Sequence, residues 1–121
     1  MRKKNYKGRC EKRTISKCEG ICRTYDDIQR AYVDVLENRD DIVEIHCNIP
    51  LDHLDLGDYT SDFLCVKGNG DRMVRECVYR RLLSRPMTAK MLEASREYWS
   101  RHGVTDWGIV IDEQEQPVEA E

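Results

Sequence analysis

No apolar run in these 121 residues approaches the ~20 residues of a membrane-spanning helix, which excludes a helical membrane protein. No hydrophobic stretch follows the basic start Met1-Arg-Lys-Lys, so no secretory signal is expected and the chain is assigned to the cytoplasm. The length leaves no room for a large multidomain enzyme and suits one domain. None of the six cysteines stands in a CxxC pair. In a reducing compartment a disulfide framework is not expected either. Mean hydropathy is low, −0.73, but the apolar residues (40%) are clustered, so a folded domain is expected rather than a disordered chain.

The net charge of −3 conceals a division. Residues 1–24 hold nine Lys/Arg against Glu11 and Glu19, and residues 72–101 hold eight against three acidic groups. Basic tracts in an otherwise acidic chain fit an anionic partner met on a defined surface; a merely solvated arm and helix face would look the same. The phosphate-contact candidates are Lys3, Lys4, Lys7, Arg9, Lys12 and Arg13 in the arm, with Arg80, Arg81 and Arg85 further on.

Hydropathy patterning divides the chain into a basic arm (1–23), an α/β domain (24–112) and an acidic tail (113–121) expected to be disordered. Ile28, Tyr32, Val35 and Leu36 recur at helical spacing after Thr24, a candidate N-cap. Val43, Ile45, Cys47 and Ile49 alternate with polar residues as a half-buried strand that Pro50 should end. Tyr59–Val66 and Arg72–Tyr79 read as a hairpin around Gly68-Asn69-Gly70. A helix is expected over Met87–His102, stopped by Gly103, and a last strand over Trp107–Asp112. Tyr98, Trp99 and Trp107 fit buried faces better than a base-stacking role. The order α-β-β-β-α-β predicts a sheet flanked by helices.

Hairpin register decides what Asp62 meets. A two-residue loop sets it opposite Cys77; a three-residue loop with Gly70 left-handed pairs Lys67 with Asp71 and sets Asp62 opposite Glu76. The second register is preferred, because two adjacent carboxylates can share Mg²⁺. As alternatives, both are plain surface groups on an exposed strand face. Cys10, Cys18 and Cys22, with His46 or His53, form a candidate structural zinc set. Cys47, Cys65 and Cys77 are read as small core hydrophobes.

Tyr59-Thr-Ser-Asp-Phe, Val74-Arg-Glu76, Arg96-Glu-Tyr-Trp and Gly103-Val-Thr-Asp-Trp-Gly-Ile-Val, with Tyr32, Leu36 and Glu37 on the first helix, resemble the TnsA family across roughly residues 8–112. These are transposon-end endonuclease subunits of heteromeric transposases with a restriction-endonuclease-like PD-(D/E)xK fold: a central mixed sheet flanked by helices. The resemblance implies phosphodiester hydrolysis at a DNA end with Mg²⁺ or Mn²⁺, the metal polarising the phosphate and activating water. It implies transposase or ATPase-regulator subunits as partners. Asp62 and Glu76 match the metal-holding positions. The family's helical Glu falls on Gln29 and its motif Lys on Val78. Lys90 on the following helix is the substitute candidate for the lysine, and Asp26 for the helical carboxylate. Two functions follow: an active endonuclease using Gln29, Asp62, Glu76 and Lys90, or an inactive nuclease-fold module that binds DNA or transposase partners.

Overall fold

A computed structural model describes residues 10–18, 20–52, 54, 57 and 59–112. The chain forms β1 (Glu11–Thr14), β2 (Ile21–Thr24), α1 (Asp27–Glu37), β3 (Ile42–Leu51), β4 (Tyr59–Lys67), β5 (Arg72–Val78), a 3-10 turn (Arg80–Leu82), α2 (Pro86–Arg101) and β6 (Asp106–Ile111). The main sheet runs β3-β4-β5-β6. Its first two pairings are antiparallel and β5–β6 is parallel, α2 making the crossover. This is a mixed α/β fold with a central mixed sheet and two helices. Among the described residues, no helix is long and apolar enough to cross a membrane.

Alternation along the strands splits the core in two. Phe63, Cys65, Met73 and Cys77 meet Ile28, Val33 and Leu36 of α1. Tyr59 and Val74 meet Met91 and Trp99 of α2, with Val104 beyond it. Tyr32 of α1 packs against Phe63, ring centres 5.8 Å apart. The sheet therefore carries one helix on each face.

The β4–β5 turn takes the three-residue register. Lys67 N–H donates to the Asp71 carbonyl at 2.7 Å, and Gly70 has φ +94°, the left-handed region that glycine enters without a Cβ penalty. Phe63 pairs with Arg75 in this register, and Asp62 and Glu76 are the next residues along the two strands. Gly103 ends α2 with φ +86°, and Val104 N–H closes the helix onto the Trp99 carbonyl at 2.8 Å.

Three local expectations are corrected. Residues 11–24 are no irregular arm: β1 and β2 pair antiparallel, Glu11 with Thr24 through Thr14 with Ile21. A four-residue strand is too short to show its period among so many charges. β3 does not end at Pro50, which pairs with Thr60. β3 is an edge strand, where a missing N–H breaks no ladder on the open side. A register shift between Ile42 and Glu44 buries Ile42 and turns Val43 outward.

The N-cap of α1 is Asp26 rather than Thr24; its Oδ1 accepts from Gln29 N–H at 2.8 Å. Asp26 is thus the capping group of α1. Asp26→Ala is expected to cost about 1 kcal/mol. A denaturant midpoint shift at unchanged slope checks this, and no shift would deny the cap its role.

Candidate functional site

The β4–β5 ladder stops at Phe63–Arg75, although both strands continue. Side chains take over from the backbone beyond it. Glu76 Oε1 accepts from Asp62 N–H at 2.9 Å, and Asp62 Oδ2 accepts from Cys77 N–H at 2.6 Å. Each carboxylate thereby binds the other strand's backbone.

The remaining oxygens are also engaged. Glu76 Oε2 accepts from the hydroxyls of Ser61 (2.5 Å) and Ser95 of α2 (2.6 Å). Each hydroxyl in turn accepts from an indole: Trp99 Nε1 to Ser61 at 2.9 Å and Trp107 Nε1 to Ser95 at 3.0 Å. An indole N–H only donates, so each serine's proton is directed at Glu76. Three donors on one carboxylate is the acceptor-only pattern of an ionised group. On the α1 side, Asp62 Oδ1 accepts from Gln29 Nε2 at 2.9 Å, while Gln29 Oε1 accepts from Tyr25 N–H at 2.7 Å. Asp62 and Gln29 are 1% exposed and Glu76 0%, so these bonds are shielded from water.

The structure thus brings Gln29, Asp62 and Glu76 into one network and leaves Lys90 outside it. Lys90 is exposed, whereas the inward stripe of α2 is Met91, Leu92, Ser95 and Trp99. Val78 is buried and apolar. Ser61, Ser95 and the two indoles were not singled out as site residues. Their signal in sequence is inward spacing, helical for Ser95 and Trp99 and along strands for Ser61 and Trp107, which does not separate a hydrogen-bond relay from ordinary core.

A hydrated Mg²⁺ does not fit this arrangement. It demands near-octahedral oxygens and keeps several waters. Here N–H and O–H donors point at the carboxylate oxygens, and the residues have almost no solvent contact.

The resemblance motifs have structural explanations too. Asp106 receives Arg75 at 2.8 Å and Lys67 at 3.1 Å, tying β4, β5 and β6 together. Burial pushes its carboxyl up, but the Arg75 and Lys67 hydrogen bonds outweigh burial and hold it below the ordinary carboxylate value.

Cysteine placement departs from the zinc set expected. Cys18, Cys22 and Cys47 have sulfurs within 4.8 Å of one another; Cys10 is not among them. Cys10 precedes β1 beside Tyr25, at the far end of the hairpin from Thr14–Ile21. His46 is not in the sulfur group either and sits beside Glu44 at 3.5 Å, and His53 lies outside the described residues. Cys47 packs against the α1-side core as expected and also belongs to this sulfur group. Cys65 does fill the core, and burial pushes its thiol up to about 12. Hydrogen bonds from Cys18 and then Cys47 push Cys22 down, while Cys18 and Cys47 are pushed up.

Of the arm's cations, Lys3, Lys4, Lys7 and Arg9 lie outside the described residues. Lys12 is exposed on β1. Arg13 is not available to phosphate in the way expected, because Asp34 of α1 holds its guanidinium at 2.7 Å. Arg80, Arg81, Arg85 and Lys90 are all exposed around the 3-10 turn and the start of α2. Arg81 lies over the Tyr79 ring at 4.8 Å. Among the described residues none of these four forms an ion pair. The first turn of α2 contains no acidic residue, so the cations add to the positive helix end instead of offsetting it.

No protein-family profile matches this chain, and a search of curated proteins gives no match.

Proposed function

We propose that the chain is a TnsA-like module of restriction-endonuclease-like fold that binds DNA in a transposition complex, with its former metal position converted to a structural network. The observation that carries this reading is that each oxygen of the Asp62 and Glu76 carboxylates accepts from a protein donor. Gln29 supports it further. Where the family has a carboxylate needing a cation, an amide donates directly to Asp62. The amide does for Asp62 what a metal does in an active relative. Val78 in place of the lysine removes the group that orients attacking water.

Binding is assigned to the exposed cations Arg80, Arg81, Arg85 and Lys90 at the positive end of α2. Backbone contacts of this kind attract any duplex and position it without reading sequence. For about four phosphate contacts, affinity for duplex DNA should fall on the order of 10²-fold between about 50 and 200 mM salt. Replacing one of these residues by alanine should lower the salt slope by about 1. Affinity that ignores salt would overturn the assignment.

The competing reading, an active Mg²⁺-dependent endonuclease subunit, is decided by a nicking assay with Mg²⁺ or Mn²⁺ and partner proteins present. Wild type and Asp62→Asn are expected to be equally inert. Nicking by wild type that Asp62→Asn abolishes would restore the catalytic reading.

A further inference from the structure

The cysteine cluster stands apart from the carboxylate network and from the basic surface, and its geometry has a chemical meaning. Cys18 follows the turn after β1, Cys22 is in β2 and Cys47 is in β3, so three separate segments deliver one sulfur each. Cys18 Sγ lies 3.7 Å and Cys22 Sγ 3.2 Å from Cys47 Sγ. A tetrahedron with metal–sulfur bonds of about 2.3 Å has edges of about 3.8 Å. The Cys18–Cys47 separation is that of two ligands on one ion, and the Cys22–Cys47 pair must open by about 0.6 Å. A cleft lined by Cys18, Cys47, His46, Arg23 and Asn48 opens beside two of the three cysteines, which gives an ion a way in.

The cluster also sits where the fold needs a fastener. The β1–β2 hairpin has four residues a strand and lies outside the main sheet. A two-stranded hairpin is marginal alone in water. Its backbone ties to β3 are the Cys18–Ile45 bridge and Ile45 N–H donating to the Lys17 carbonyl at 2.9 Å. An ion held by residues 18, 22 and 47 would join the turn, the hairpin and the sheet edge at one point.

We infer that Cys18, Cys22 and Cys47 form a thiolate site for a tetrahedral, thiophilic divalent ion, Zn²⁺ being the natural occupant. The three sulfurs bind as thiolates and release their protons to solvent; no electron transfer is involved. The fourth position belongs to a ligand from the cleft. Hard ions such as Mg²⁺ do not compete, because the site offers sulfur alone.

The test is a Co²⁺ titration of the reduced, metal-stripped chain. One equivalent is expected to produce thiolate-to-cobalt charge-transfer absorption and tetrahedral visible bands. Zn²⁺ should displace it stoichiometrically and raise the unfolding temperature. Cys47→Ser and Cys22→Ser should lose the charge-transfer band, while Cys10→Ser and Cys65→Ser keep it. A folded, reduced wild type with no such band overturns the site, as does a band that survives in Cys47→Ser. A Cys22–Cys47 disulfide as the native state, seen as the loss of two hydrogens by intact mass, overturns it too. Should the serine variants fail to fold, the wild-type titration decides alone: one ion with absorption scaled to three thiolates supports the site, and any other stoichiometry opposes it.

Discussion

Glu76→Ala is expected to destabilise the domain by about 3–5 kcal/mol, although no partner of Glu76 carries a formal charge in the bonds described. The cost has three parts. Ser61 and Ser95 lose the acceptor at which their protons are aimed, and Asp62 N–H loses the Glu76 acceptor. All three lie where water does not reach, with Ser61 and Ser95 0% exposed. The two indoles then donate to hydroxyls free to rotate, so the α2 side of the core loses its fixed geometry as well. For a domain of this size the loss corresponds to roughly 10–20 °C in melting temperature. Glu76→Gln keeps the volume but puts a donor where two hydroxyls donate, and should fall between wild type and Glu76→Ala. Thermal unfolding followed by circular dichroism checks the series. A Glu76→Ala chain as stable as wild type would show that the network contributes nothing to the fold, and the catalytic reading would regain its ground.

Gln29→Glu should be nearly as damaging, by about 3 kcal/mol or more at neutral pH. The substitution restores the residue type that the TnsA resemblance expects. In this structure it exchanges a donor to Asp62 for a second buried carboxylate against it. The pH dependence follows from that. Burial and the neighbouring carboxylate raise the new group's folded-state pKa above its unfolded value of about 4.3. Its protonated form is then the compatible one, so the variant's deficit is smallest in acid and grows as pH rises through the raised pKa. Chemical unfolding at a series of pH values would show the gap from wild type widening upward. The same experiment with Mg²⁺ carries a second decision. If several millimolar Mg²⁺ leaves the variant's midpoint where it was, the position has lost the room and geometry for a hydrated ion. If Mg²⁺ restores stability, one residue suffices to rebuild the metal site, and the structural reading of Asp62 and Glu76 fails.

The basic surface and the network are independent in these tests. Arg81 and Arg85 are exposed and make no contact with Glu76 in the bonds described, so DNA affinity should survive substitutions that merely soften the core. The thiolate site is separate again: its readout is an absorption band, not DNA binding.

Much of the architecture was written in local pattern. Helical spacing marked α1 and α2, alternation marked β3, and Gly70 with its left-handed φ fixed the three-residue hairpin register that pairs Phe63 with Arg75. These features are legible because each depends on residues a few positions apart. The short β1–β2 hairpin was not, since four residues carry no reliable period and its partner contacts lie across the chain on β3 and α1.

The resemblance to the TnsA family sets Gln29 and Val78 at positions where that family has ionisable groups. It did not determine what that means, because a carboxylate's role depends on what fills the space around it. Only the tertiary structure decided that donors from β4, β5, α1 and α2 converge on Asp62 and Glu76 and leave Lys90 outside. The cysteines divide in the same way. Spacing along the chain grouped Cys10 with Cys18 and Cys22; folding replaced Cys10 by Cys47, twenty-five residues beyond Cys22, because strand pairing and not sequence proximity sets which sulfurs meet.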